Sequence, residues 1–97
     1  MSRYDQAKLV MQARKLQKEL QKEIIIVEAG DGAVKVEISG EQKIKKMHID
    51  PDAVDLDDIG LLEMWIEEAV KEAINQSQKL AAEKMQPIMG SLGNLGL

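Results

Sequence analysis

The sequence predicts an α+β fold in which a helix, a three-stranded antiparallel sheet and a second helix follow one another along the chain. Three patterns carry this prediction: a heptad stripe up to residue 22, alternating apolar residues between 24 and 49, and a broad apolar face after residue 58. The 97 residues include one Trp, one Tyr and no Phe, so a monomer would lack the aromatic volume that normally fills a small core. We therefore expect a homodimer with projecting helical arms.

The first element is predicted to be a helix of roughly 20 residues that ends near Glu23. It should end there because Ile24–Val27 is a run of β-branched residues, which favours a strand. A helix longer than the sheet needs a partner for its apolar stripe, so we expect the stripes of two subunits to pair. The a and d positions of this stripe are Gln6, Leu9, Ala13, Leu16 and Leu20.

Two turns, at 29–32 and 39–42, separate the predicted strands. Residues 33–38 alternate between apolar and charged side chains, which predicts a sheet with one dry face. In the third strand Ile44 is out of phase with the apolar residues that follow it. A bulge at 45–46 would return Ile44 to the dry face, because a bulge adds one residue to the count.

The second helix is predicted to begin after a cap at Asp57 or Asp58 and to end at Pro87. Trp65 lies at core spacing within this helix, so we interpret it as a packing residue. The whole chain should form one domain, residues 1–89, followed by a flexible Gly- and Leu-rich tail, residues 90–97.

The composition argues against an enzyme. There is no cysteine, and a histidine-assisted nucleophile would have to be assembled around the single histidine, His48, which is expected to face solvent on a strand. The aspartates between 50 and 58 lack the ligand order and central glycine of a calcium loop. We predict no cofactor and no metal. The longest apolar run, Ile24–Val27, cannot span a bilayer, which favours a cytoplasmic protein with no membrane partner.

The net charge of −4 conceals an uneven distribution. Residues 2–22 carry six basic and two acidic side chains, whereas residues 50–72 carry nine acidic side chains and one lysine. Five basic residues occupy positions of the first helix away from the apolar stripe: Lys8, Arg14, Lys15, Lys18 and Lys22. On charge alone, they indicate either contact with nucleic-acid phosphates or an ordinary solvated helix face.

Three segments carry a family resemblance: 8–17 in the first helix, Val34–Gly40, and Lys45–Pro51 with its basic pair before an apolar-x-Ile-Asp-Pro stretch. Here the chain resembles the YbaB/EbfC family of bacterial nucleoid-associated proteins. The resemblance implies a homodimer with tweezer-like helical arms, duplex DNA binding with little sequence preference, location in the nucleoid, and roles in nucleoid organisation and gene regulation. The matching DNA-binding residues are Lys8, Arg14, Lys15, Lys18, Lys22, Lys79 and Lys84. The alternative is a coiled-coil protein-interaction module that acts with DNA repair or replication proteins without touching DNA.

Overall fold

The structure is a computed structural model that describes the backbone of residues 3–94 and the side chains of residues 3–90. Its elements, in chain order, are α1 (Arg3–Lys22), β1 (Ile24–Ala29), β2 (Val34–Ser39), β3 (Ile44–Ile49) and α2 (Ile59–Asn94). This order confirms the predicted helix–sheet–helix α+β fold. The predicted tail begins inside α2, and residues 95–97 of it lie outside the described part of the chain, so the domain boundary at residue 89 stays a prediction.

The three strands form one antiparallel sheet in the order β1-β2-β3. Val36 on the central strand lies opposite Val27 on one side and Met47 on the other, so apolar residues of all three strands share a face. The register between β2 and β3 shifts and leaves Lys45 without a partner, which returns Ile44 to that face. The predicted bulge is confirmed.

The core lies between this face and α2, which packs against β1 and β2. Val34, Val36 and Ile38 are fully buried there, and α2 contributes Ala69 and Ala73 at the closest approach. Alanine suits these positions because its small side chain allows the helix to lie close to the strands. Strand β3 is exposed along most of its length, since α2 does not cover it.

The β1–β2 turn is fitted to the ring of Trp65. Gly30 adopts a φ of 62°, which favours glycine, and a Cβ at this position would overlap the Trp65 ring. Trp65 is also packed against the core cluster. The prediction that this tryptophan is a packing residue is therefore confirmed.

A second glycine joins α1 to the sheet. The backbone N–H of Gly40 donates to the carbonyl oxygens of Leu20 and Glu23, both at 2.9 Å, so it supplies a partner to the end of α1. On the other side of this junction, the buried Ser77 hydroxyl of α2 donates to the carbonyl oxygen of Ser39 at 2.7 Å. Helix α1, strand β2 and helix α2 thus meet at one hydrogen-bonded point.

Helix α2 begins where the sequence predicts and ends later than it predicts. The side chain of Asp58 accepts from the N–H of Leu61 at 3.3 Å, so Asp58 is the cap. The prediction that Pro87 ends the helix is wrong, because α2 continues through it to Asn94. Pro87 has no N–H to donate to the Glu83 carbonyl, and both residues are exposed.

The two helices form an arm that extends from the sheet. Helix α1 lies alongside the C-terminal part of α2, and the molecule measures 63 × 19 × 15 Å. Leu9 and Leu16 are half-buried and Leu20 is buried. The pairing of this stripe with a second subunit stays a prediction, because Gln6 and Ala13 are exposed and α2 of the same chain covers the leucines only in part. Helix α2 reaches these leucines because it runs well past the sheet.

Candidate nucleic-acid interface

One face of α1 lies opposite its half-buried leucines and carries most of the predicted contact residues. Its side chains are exposed and recur at steps of four and three, which places them in one row on a helix. At 1.5 Å per residue the row is about 27 Å long. We call it the outer row; its members are Tyr4, Lys8, Met11, Lys15, Lys18 and Lys22.

Arg14 is also exposed and lies beside the outer row. Tyr4 and Met11 are in the row but are not among the predicted contacts, although the same spacing by four and three would have found them. The row is therefore basic along most of its length and has two apolar members toward the end of the arm.

The basic side chains of α1 form no ion pair with a carboxylate of the described residues. Within residues 3–90 the ion pairs are Lys35–Glu28, Lys43–Glu41, Lys71–Glu67 and Lys84–Glu23, and none involves α1 lysines or Arg14. Their charge is therefore not offset by a paired carboxylate, and at low salt it can attract a polyanion.

A groove of about 380 Å³ separates α1 from the end of α2 and receives two of the predicted lysines. Lys15 lines this groove together with Glu19, so it lies at the border of the outer row and not fully away from the stripe as expected. Lys84 lines the opposite wall and its Nζ lies 3.9 Å from Oε1 of Glu23. The Gln12 side-chain oxygen is buried here without a hydrogen-bond partner among the described residues.

Lys79 is exposed on α2, on the side of β1, within a depression that also includes Glu23 and Glu83. The structure therefore places Lys79 and Lys84 near acidic side chains and apart from the outer row. Their local field is weaker than that of the α1 lysines, because opposite charges offset one another at short range.

The acidic residues gather at the other end of the molecule, on the part of α2 that covers the sheet. Among them, Glu67 accepts a hydrogen bond from Lys71 at 2.6 Å, which lowers the pKa of Glu67 and raises that of Lys71. The exposed glutamates of this region are Glu63, Glu67, Glu68 and Glu72. The arm is therefore basic on its outer face, whereas the sheet end is acidic.

Other kinds of site find little support in the described part of the chain. It contains no group of three or more histidine, cysteine, aspartate or glutamate residues arranged to hold a metal ion. Asp50 and Asp55 instead accept hydrogen bonds from the N–H groups of Asp52 and Asp57, which are local turns. His48 is exposed on β3. No helix of the described residues is both long and apolar enough to cross a membrane.

The structure defines a class of small α+β proteins whose basic helical arm is suited to binding a polyanion. Comparison with known proteins identifies the family within this class. Residues 4–92 match the YbaB/EbfC DNA-binding family, and the chain belongs to that family. Membership of this DNA-binding family confirms the family recognised from the sequence and the prediction that the chain is not an enzyme.

Several relatives are described as nucleoid-associated proteins. One from Chloroflexus aurantiacus is 37% identical over 84 residues, covering 87% of this chain and 84% of the relative. One from Desulforamulus reducens is 39% identical over 97 residues, covering 93% and 92%. The crystal structure of an uncharacterized protein from Helicobacter pylori has a TM-score of 0.78 at 14% identity, covering 86% of this chain and 87% of that one. This last similarity supports the fold alone.

Proposed function

We propose that the chain binds duplex DNA as a homodimer, with little sequence preference, and that it contributes to nucleoid organisation and gene regulation. The observation that carries this proposal is the unpaired basic face of α1. Such a face suits a polyanion, and membership of a DNA-binding family supports DNA as that polyanion. The proposed contacts are Lys8, Arg14, Lys15, Lys18 and Lys22, with smaller contributions from Lys79 and Lys84.

The proposed mechanism is neutralisation of phosphates. Lys8 and Lys22 are separated by about 21 Å along the helix, which corresponds to roughly six base pairs of duplex. Lysine presents a flexible point charge and not the planar fork that reads a base edge. Phosphate contacts position a protein without reading sequence, so little sequence preference follows.

The homodimer proposal rests on the face of the sheet that α2 leaves uncovered. Ile44 and Met47 lie on the same face as the buried Ile38 and Val36, yet they are 47% and 39% exposed. These apolar side chains continue the core but stay in contact with water, so their burial under a second surface is favourable. A second copy of the chain placed against β3 would complete the core and present two basic arms.

The test compares two triple charge reversals that change the net charge equally. Lys8→Glu, Lys15→Glu and Lys22→Glu reverse three of the four lysines of the outer row. Lys35→Glu, Lys43→Glu and Lys71→Glu alter lysines already paired with carboxylates. Binding to a random-sequence duplex is followed by fluorescence anisotropy at several salt concentrations. We expect the first variant to lose binding and the second to keep it, with a salt slope near −0.9 for each phosphate contacted by the wild type.

The coiled-coil alternative is weakened only in part, because α2 of the same chain covers the leucines of the α1 stripe but leaves Gln6 and Ala13 exposed. It would still be favoured if charge reversal of the outer row left DNA retention intact while a repair or replication protein no longer bound. A verified dimer that fails to bind duplex DNA at low salt would contradict the DNA proposal itself.

A further inference from the structure

The outer row of α1 is not uniformly basic, because its outer half alternates apolar and cationic side chains. Tyr4 and Met11 are 80% and 70% exposed, and Lys8 lies between them in the row. Both apolar residues belong to the same exposed line as Lys15. A surface that binds phosphates with its lysines therefore brings these two side chains to the duplex as well.

We propose that Tyr4 and Met11 make apolar contacts in a groove of the duplex whose phosphates are bound by neighbouring lysines. This inference rests on the DNA binding proposed above. Lys8 and Lys15 are about 10.5 Å apart along the helix, comparable to the roughly 12 Å opening of the major groove and wider than the minor groove. If each bound a phosphate at the edge of a groove, Met11 would lie between them, over sugars and base edges.

The chemistry of the two side chains suits this position. Proteins that shape DNA place methionine and other apolar side chains in a groove or between base steps, flanked by basic residues on the phosphates. An aromatic ring such as that of Tyr4 can stack on a base or lie along the sugar surface. Neither contact depends strongly on sequence, so the inference agrees with low sequence preference.

A third exposed apolar side chain on α1 provides a comparison within the same helix. Val10 is 51% exposed but is turned about 100° from Met11 around the helix axis, away from the outer row. Single exposed apolar residues are ordinary on protein surfaces. Tyr4 and Met11 differ because they continue a row of unpaired cations, and this continuity points to the same polyanionic partner.

Salt dependence separates apolar contacts from phosphate contacts. A lysine on a phosphate releases counterions, so its loss reduces the salt slope by about 0.9. A groove contact made by Tyr4 or Met11 releases none. Its loss should weaken binding by the same factor at every salt concentration and leave the slope unchanged.

The experiment measures affinity for a random-sequence duplex at four salt concentrations. The variants are Tyr4→Gln with Met11→Gln, the matched control Val10→Gln, and Lys18→Gln as the phosphate reference. Glutamine is used throughout because it is a good helix former, and circular dichroism checks that helicity is kept. We expect the double variant to bind about tenfold more weakly at each salt concentration with an unchanged slope, Val10→Gln to match the wild type, and Lys18→Gln to lower the slope.

Three results would overturn the inference. The double variant could bind as tightly as the wild type, or it could lower the salt slope as Lys18→Gln does. Sedimentation could instead show that the double variant no longer dimerises, which would assign Tyr4 and Met11 to a contact between subunits. Failure of the wild type to bind at low salt would overturn the proposed function too, whereas normal binding by wild type and double variant alike would overturn this inference alone.

Discussion

At the scale of single residues, the backbone N–H of Gly40 links the end of α1 to the end of strand β2. This N–H donates to the carbonyl oxygens of Leu20, in the last turn of α1, and Glu23, just beyond the helix, and this approach leaves no room for a side chain. The Val34–Gly40 segment carried part of the family resemblance. Its final glycine has a physical explanation here, because the end of α1 lies directly against it.

Gly40→Ala should therefore destabilise the protein. The new Cβ would lie 2.9 Å from Cδ2 of Leu20 and 3.0 Å from its carbonyl oxygen, and backbone atoms cannot move away cheaply. We expect a loss of about 1–3 kcal/mol in the free energy of unfolding, which is typical of overpacking. Urea unfolding at a fixed protein concentration measures it.

The control is Gly90→Ala, at a helical glycine where, among the described residues, no atom beyond the adjoining helix backbone lies within 4 Å of the added Cβ. Alanine is favoured over glycine in a helix, so this substitution should be neutral or stabilising by up to about 1 kcal/mol. Equal unfolding midpoints for Gly40→Ala and the wild type would contradict the role assigned to Gly40.

At the scale of whole elements, Pro87 lies within α2 and the helix continues beyond it. A proline inside a helix costs about 3 kcal/mol relative to alanine, because it removes one hydrogen bond and crowds the preceding turn. Pro87→Ala should restore the bond to the Glu83 carbonyl and slow amide hydrogen exchange in the last turns of α2. Unchanged or faster exchange there would show that the proline costs this helix nothing.

The sequence predicts where the helices and strands lie better than it predicts which elements pack against one another. Alternation and the phase of Ile44 were sufficient for the strands and the bulge at Lys45, since both depend on a local period of two. The extent of α2 was missed because a local signal, Pro87, was outweighed by a helix that continues on both sides of it. The pairing of α1 with α2 was missed for a related reason, because a heptad stripe does not specify which helix covers it.

The same holds for the candidate site: features set by local spacing could be predicted, whereas features set by the packing of α1 and α2 could not. Exposure of the α1 charges could be predicted from spacing alone, and it is observed for Lys8, Lys18 and Lys22. The position of Lys15 beside the groove and the ion pair of Lys84 with Glu23 could not be predicted, since both depend on where α2 lies.

At the scale of the molecule, charge is separated along an elongated body of 63 Å. Exposed glutamates surround the sheet end, and the outer row of α1 lies on the arm. The acidic end should repel a polyanion while the arm attracts it, so the net charge of −4 does not conflict with DNA binding. The exposed apolar residues Ile44 and Met47 of β3 also lie at the sheet end, so two chains that meet there would leave their arms pointing outward.

If two chains associate through their sheet ends, the exposed apolar residues on the core face of the sheet should form the contact. Ile44 of β3 and Ile26 of β1 are both exposed isoleucines, but only Ile44 lies on the face of the sheet that carries the core. Ile44→Lys should dissociate the homodimer, because it would place a charge in the buried contact, whereas Ile26→Lys should leave it intact. Sedimentation equilibrium at micromolar concentration measures both. A wild-type mass near one chain of 10.8 kDa would rule out the dimer, and dissociation by Ile26→Lys alone would place the contact on the opposite face of the sheet.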